Sequence, residues 1–223
     1  MWLLAAGVAL AGDGVHVDAV ATTTVPLLIG VGARVETPQR IRAELDLGMF
    51  PGAYLSAVND VATSSGWYGE PTAVLLDVAI DGAFVLHPRI GWRPFEKNGF
   101  MFHGGYILAA AGGGNLSGSE ASEVVVEREG SNNFGFEDDA SFPVRAGIHM
   151  LTVDVGWEVI GWEKLVVGMR LGGAFTVGST STVEVDGRFG GAAGEVLGAL
   201  LDETIQRWIH SPTLSLDVGY RFR

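Results

Sequence analysis

The stretch Leu214–Phe222, LSLDVGYRF, decides the fold of this chain. Every second residue is large and apolar, and the residues between them are small or charged. The apolar set is Leu214, Leu216, Val218, Tyr220 and Phe222. Successive side chains of a β-strand point to opposite faces of the sheet, so this period of two predicts a strand with one apolar and one polar face.

The same alternation predicts seven further strands. Three hairpins follow from pairs of alternating runs that are separated by short turn sequences. The paired runs are 27–36 with 40–50, 83–94 with 99–111, and 146–159 with 164–178. A weaker run at 14–22 precedes the first hairpin and completes a set of eight strands.

The connections between these strands alternate in length. Residues 37–39, 95–98 and 160–163 form short turns, whereas about 51–82, 112–143 and 178–212 are long connections. In an up-and-down sheet this alternation places the short turns at one end and the long connections at the other. Helical periodicity in 51–66 and 194–210 predicts two helices that pack at the mouth of the barrel. A membrane-surface or partner-binding role for their apolar faces is the alternative.

The polar faces of the strands carry charges of both signs. These residues are predicted to face inward and pair in a lumen charge network, since buried charges need partners. The predicted network is Arg34, Arg42, Glu44, Asp46, Arg89, Arg93, Asp154, Glu158, Arg170, Asp217 and Arg221, and Glu36 shares their parity. If lipid surrounds the barrel, an outward Arg89 or Arg170 would cost about 2–4 kcal/mol each, so both are expected to point inward.

Aromatic residues gather at the short-turn ends of the strands, mostly on the apolar face. The predicted girdle is Trp92, Phe95, Phe100, Phe102, Trp157, Trp162, Tyr220 and Phe222. Such a ring is typical of the interface between membrane and water. Ordinary hairpin-end packing in a soluble β-sandwich is the alternative.

These features together resemble the small bacterial outer-membrane β-barrels of the OmpA/OmpX-like size class. The closing strand LSLDVGYRFR resembles the C-terminal signal by which such barrels are recognised for insertion, except that Arg223 follows the final aromatic. Residues 25–61 and 90–106 also look similar to Gram-negative outer-membrane proteins. The resemblance implies outer-membrane location, periplasmic termini and short turns, extracellular long loops, contact with membrane lipids, and the barrel-assembly machinery as a partner of the last strand. It implies no activity.

Composition narrows the class of protein further. The net charge of −12 argues against nucleic-acid binding, which depends on Lys and Arg. The N-terminal apolar run 1–11 is too short for a membrane helix, which needs roughly 20 residues. Its Ala9-Leu10-Ala11 end resembles a secretory cleavage site. We therefore expect 1–11 to be a signal peptide and 12–223 a single barrel domain. Because no Lys or Arg precedes the apolar run, a simple N-terminal strand is the alternative.

No motif in the sequence indicates a cofactor, and we expect none. The GxG of 27–35 lacks the third glycine and the helix that a dinucleotide site needs. The glycine-rich stretch 109–119 is expected to be a flexible loop, and the acidic stretch 134–142 a solvated loop rather than a calcium site. His87, His103 and His149 are the candidate imidazoles for catalysis, with the first two expected inside and His149 on the lipid side near the outer rim.

The function expected from the sequence is that of an outer-membrane barrel with a side-chain-plugged lumen. It would act as a structural or surface-interaction protein through long acidic and helix-bearing outer loops, and not as an enzyme. Two alternatives stay open: an outer-membrane lipid hydrolase or acyltransferase, and a soluble lipocalin-like carrier with its apolar face inside.

Overall fold

Eight antiparallel strands close into one barrel in the computed structural model, which describes residues 14–95, 98–130, 136, 140–162, 164–185 and 190–222. The strands are β1 (His16–Val25), β2 (Leu28–Glu36), β3 (Ile41–Met49), β4 (Phe84–Trp92), β5 (Phe100–Ser117), β6 (Ser141–Gly161), β7 (Leu165–Val183) and β8 (His210–Arg221). The helices are α1 (Gly52–Ser64), α2 (Glu70–Ile80), α3 (Gly118–Glu129) and α4 (Gly190–Trp208). The predicted fold class, an all-β up-and-down barrel with helices in the long connections, is confirmed.

Each strand pairs with its neighbours in sequence, and β8 closes the barrel by pairing with β1. The three predicted hairpins form with their short turns at one end, here called the short-turn end. The opposite end, here called the outer end, holds the three long connections and also the two-residue turn Pro26-Leu27 between β1 and β2. The outer rim is therefore low beside this turn.

The barrel wall is much taller on one side than on the other. Strands β5, β6 and β7 have 18, 21 and 19 residues, whereas β1 to β4 have 9 or 10. The expectation of a flexible loop at 109–119 is wrong, because β5 continues to Ser117 and α3 begins directly after it. Gly114 allows this wall to pack closely on α2: a Cβ at this position would lie 2.0 Å from the carbonyl oxygen of Val78.

The two predicted helices, α1 and α4, are present, and the structure adds α2 and α3. Helix α2 is apolar nearly all round and buries Leu75, Leu76 and Ile80, so it lacks the one-sided stripe that marks a surface helix. Helix α3 begins with a capping box between Ser117 and Glu120. The acidic segment after residue 115 is thus partly helical rather than a loop.

The four helices fill and cover the outer end of the barrel. Leucine and isoleucine side chains of α2 and α4 pack against the inner faces of the tall strands. The helix residues are Leu75, Leu76, Ile80, Leu197, Leu201 and Ile205, and the strand residues include Ile107 and Ile148. We call this assembly the helical cap. None of the helices in the described part of the chain is long and apolar enough to cross a membrane.

Candidate functional site

The inward faces of the strands converge on a charged interior below the helical cap. Ten of the eleven residues predicted for the network are buried: Arg34, Arg42, Glu44, Asp46, Arg89, Arg93, Asp154, Glu158, Arg170 and Asp217. Arg221 is half-buried at the short-turn end. Strand alternation explains this placement, because residues i and i+2 of a strand share a face.

Glu44 lies at the centre of the network. Its carboxylate is 2.8 Å from Arg89 and 3.7 Å from Arg170, and it is 3.6 Å from both Arg34 and Arg42. Two further carboxylates, those of Asp46 and Asp217, contact some of the same guanidinium groups. Four arginines thus share a small set of carboxylates, so each of these four guanidinium groups has a partner of opposite sign.

Asp46 and Asp217 extend the central group. Asp217 is 2.8 Å from Arg34 and 2.7 Å from Arg170, and Asp46 pairs with Arg89. Further towards the outer end, the hydroxyl of Thr213 donates a 3.2 Å hydrogen bond to Asp154.

A second group lies at the short-turn end, around Glu158. Its carboxylate accepts hydrogen bonds of 2.8 Å from Arg42 and 2.9 Å from Arg93, and Arg221 is 3.5 Å away. Glu36 accepts a 3.0 Å bond from the same Arg93. These contacts join strands β2, β3, β6 and β8, and the residue that follows β4, across the interior.

Asp18 is an interior acid that the sequence reasoning missed. It is buried and accepts bonds of 2.7 and 2.9 Å from the guanidinium of Arg221. Its signal was available in the weak first run, because Asp18 alternates with the apolar Val17 and Ala19 and shares a face with Thr22. This ion pair joins β1 to β8, the two strands whose pairing closes the barrel.

One cavity that borders the network is small. A cavity beside Arg42, His103 and Glu158 measures about 10 Å³. This volume is at the lower limit for a single water molecule. This cavity therefore has room for one water molecule at most.

His87 and His103 lie inside the barrel and His149 on its outer face. The ring of His87 lies 3.1 Å from the hydroxyl of Thr152, and that of His103 lies 3.4 Å from Glu44. Both rings are buried, so neither presents a nitrogen to a substrate arriving from outside. His149 pairs with the hydroxyl of Tyr106 on the outer face.

Within the helical cap, the buried Asn59 is the centre of a group of hydrogen bonds that joins α1 to α2. Its amide donates bonds of 3.2 Å to the carbonyl of Ala73 and 3.0 Å to Asp77, and it accepts a 2.7 Å bond from Tyr68. Burial, with the nearby charge of Asp77, raises the pKa of Tyr68 to about 12. Burial also raises the pKa of Asp77, against the opposing effect of the bond from Asn59.

Glu127 of α3 connects two helices of the cap. Its carboxylate accepts hydrogen bonds of 2.7 Å from the backbone of Gly69, and of 3.1 and 2.7 Å from the backbone and hydroxyl of Thr72. These donors belong to the first turn of α2 and the residue before it. Glu127 therefore caps the N-terminus of α2 from a neighbouring helix.

The outer surface of the barrel is apolar over a broad band. The band consists of aliphatic side chains on every strand, among them Val31, Leu45, Ile90, Leu151, Val153, Val167, Leu171, Leu216 and Val218, all exposed. Outward positions of the described strands within this band hold no Asp, Glu, Lys or Arg. Above it on the tall wall, outward positions become polar at Arg145, Thr180 and Thr182.

The predicted girdle residues lie at the short-turn end. Seven are exposed: Trp92, Phe95, Phe102, Trp157, Trp162, Tyr220 and Phe222. Phe100 is half-buried, and its ring centroid lies 4.8 Å from that of Phe102 and 5.0 Å from that of Trp157. These aromatics border the apolar band on the side of the short-turn end.

Two predictions fall on parts of the chain that the structure does not describe. The predicted signal peptide, 1–11, lies outside the described residues, and so does most of the acidic stretch 134–142. Among the residues that are described, no three His, Cys, Asp or Glu side chains group as metal ligands would.

Comparison with known proteins adds a likeness in shape. No protein-family model matches this chain, and no curated protein matches it. Among solved structures, the N-terminal β-barrel domain of Pseudomonas aeruginosa OprF is similar, with 11% sequence identity and a TM-score of 0.43. The match covers 93% of this chain and 96% of that one. The closed eight-stranded barrel is consistent with the OmpA/OmpX-like class, and the fold assignment itself rests on the strand pairing described above.

Proposed function

We propose that this protein is a bacterial outer-membrane β-barrel whose interior is closed to diffusion and whose outer-end helices carry a structural or surface-interaction role. The observation that carries the proposal is the division of the wall into an apolar outer face and a charged inner face. A soluble barrel gains nothing from exposing aliphatic side chains on every strand, and monomeric soluble proteins rarely expose such a continuous apolar surface.

The dimensions of the barrel support the same proposal. Strands β1 to β4 have 9 or 10 residues, and a membrane-spanning strand needs about 9–11. Aromatic side chains border the apolar band below, and Arg145 and Thr180 lie beyond it above. An aromatic girdle, then an aliphatic band, then polar outward residues on the tall wall is the order that suits a bilayer with the helical cap on its outer side.

The interior argues for a closed barrel rather than a pore. Eight strands leave an interior that side chains can fill, and arginine–carboxylate pairs such as Arg89–Glu44 and Arg170–Asp217 lie within it near the short-turn end. The apolar side chains of α2 and α4 cover its upper part. An interior of this kind also does not suit a lipocalin-like carrier, which needs an apolar cavity.

The proposed partners follow from this placement. Lipid would contact the apolar band, and the barrel-assembly machinery would recognise β8 with its aromatic end. The chain carries a net charge of −12, so nucleic acid is not proposed as a partner. Any further ligand would meet the helical cap, which is the part of the protein that faces outward.

Two arginine substitutions on the outer wall, one inside the apolar band and one above it, test the membrane placement. Val153 is an outward residue in the middle of β6 and is 62% exposed. In a bilayer, Val153→Arg should lower the free energy of unfolding by about 2–4 kcal/mol, whereas in water an exposed arginine would cost almost nothing. Thr180→Arg is the matched control, because it lies on the same wall above the band. Equal and negligible effects of both substitutions on urea unfolding from lipid vesicles would contradict the proposal.

A further inference from the structure

An apolar groove lies at the outer end, between α1 and the low part of the rim. Its volume is about 370 Å³, within the range of small-molecule sites. One wall is α1, and the other is built by the β1–β2 turn and the start of β8. The apolar lining includes Val25, Leu27, Phe50, Leu55, Val58 and Trp67. The groove exists because the two-residue turn leaves the rim low where α1 crosses it.

The groove opens towards the outer face of the barrel. Val25 is an outward residue of β1 and pairs with Leu214, at the upper edge of the apolar band. The hydroxyl of Tyr54 on α1 reaches over the rim and lies 3.2 Å from that of Thr23, which faces outward on β1. Val58 and Val61 of α1 expose apolar side chains beside the opening. The surface from the band into the groove is therefore continuous and apolar.

The polar side chains in the lining are already bonded within the protein. Tyr54 is paired with Thr23, and Asn59 with Tyr68 and Asp77. His210 accepts a bond from the backbone of Thr176, and Ser211 donates to the carbonyl of Pro212. Among the residues that the structure describes, no Asp, Glu, Lys or Arg lines the groove. A ligand inside it would thus be recognised by apolar contact alone.

We propose that this groove binds an aliphatic acyl chain that enters sideways from the membrane. The inference rests on the proposed membrane placement, since only a lipid-facing opening supplies such chains without a passage through water. A long unbranched chain could lie along α1, whose residues from Leu55 to Ala62 line one wall, and its polar end would remain at the rim, outside the groove. The free acid and an acyl chain of a membrane lipid share this chemistry.

Photo-crosslinking tests the proposal on the full chain in lipid nanodiscs. The probes are palmitic acid with a diazirine on its chain and phosphatidylcholine carrying the same chain, and labelled positions are read by peptide mass spectrometry. We expect labelling of α1 and of residues 209–212 that excess unlabelled palmitic acid or phosphatidylcholine competes away. Ala57 lines the groove and is exposed, so Ala57→Trp should fill the space and abolish this labelling. Ala53→Trp is the matched control on the same helix, outside the lining.

The outcomes separate the groove from the membrane placement. Competed labelling that Ala57→Trp removes and Ala53→Trp keeps supports the groove, and the probe that labels it identifies the source of the chain. Labelling of the strand exteriors with none in the groove, or groove labelling unchanged by Ala57→Trp, overturns the groove while leaving the membrane barrel intact. An absence of label on outward positions of β6 contradicts the membrane placement itself. If Ala57→Trp fails to fold, judged by gel mobility before and after boiling, Val61→Gln at the exposed mouth replaces it.

Discussion

Replacing Glu44 by glutamine removes the central negative charge of the barrel interior without changing its shape. Glu44 is 4% exposed, and four guanidinium groups lie within 3.7 Å of its carboxylate, those of Arg34, Arg42, Arg89 and Arg170. Without the carboxylate, these like charges remain together in a space that excludes water. Breaking a buried ion pair by removing one partner costs about 3–5 kcal/mol, and here one partner serves several arginines.

The cost converts into a measurable shift of urea unfolding from lipid vesicles. With about 4 kcal/mol lost and a denaturant slope of about 2 kcal/mol per molar, the midpoint of Glu44→Gln should fall by about 2 M. Glu184→Gln is the matched control, because Glu184 lies 3.9 Å from Arg145 in a pair whose side chains are 57% and 68% exposed. An exposed pair contributes about 0–1 kcal/mol, so the control midpoint should hardly move.

Equal midpoints for the two variants would refute the reasoning. They would mean that the interior arginines do not depend on Glu44, and that water or rearranged carboxylates neutralise them. The division of the wall into charged and apolar faces would then describe the barrel without explaining its stability.

Three further predictions concern the helical cap. The pKa of Tyr68, about 12, exceeds its usual value of 10. The contribution of its neutral phenol to stability is therefore complete below pH 10 and is lost as the pH rises through 12. The midpoint of urea unfolding should fall over that range, and it should fall less in Tyr68→Phe. Gly114→Ala should push α2 off the wall and expose the cap to proteolysis, whereas Gly178→Ala, with nothing within 4 Å of its added Cβ, should resist like the wild type. Glu127→Gln should weaken the first turn of α2 by about 1 kcal/mol in hydrogen exchange, and an equal effect of Glu123→Gln would contradict the capping role.

The strands of this barrel follow from the sequence because their signal is local. Alternation at Leu214–Phe222 and in the three hairpins fixes which side chains share a face, and one face must be buried. Charged residues such as Arg89 and Glu44, which are far apart in sequence, could be assigned to a common interior by parity alone. Their individual pairings could not, because these depend on register across strands and on side-chain conformation.

The outer end of the barrel was harder to predict, for physical reasons that differ between elements. Helix α2 is apolar nearly all round, with Val74 and Val78 on the face opposite its buried leucines, so its sequence shows no clear stripe with a period of 3.6 residues. The glycine run 112–114 is typical of a loop, yet it lies within β5. Glycine is needed there because any side chain at position 114 would collide with α2. Helix α3 had a usable signal in Ser117 and Glu120. The groove beside α1 depends on the short turn at Pro26-Leu27, which no local pattern connects to a helix thirty residues away.

Gel mobility of the unboiled protein, taken from a Gram-negative outer-membrane fraction, tests the central claim most directly. A closed membrane barrel resists cold detergent, so the unboiled protein should run faster than the boiled protein and should sediment with the outer membrane. Recovery of the protein in the soluble fraction, with the same mobility before and after boiling, would contradict the claim that its apolar outer band faces lipid.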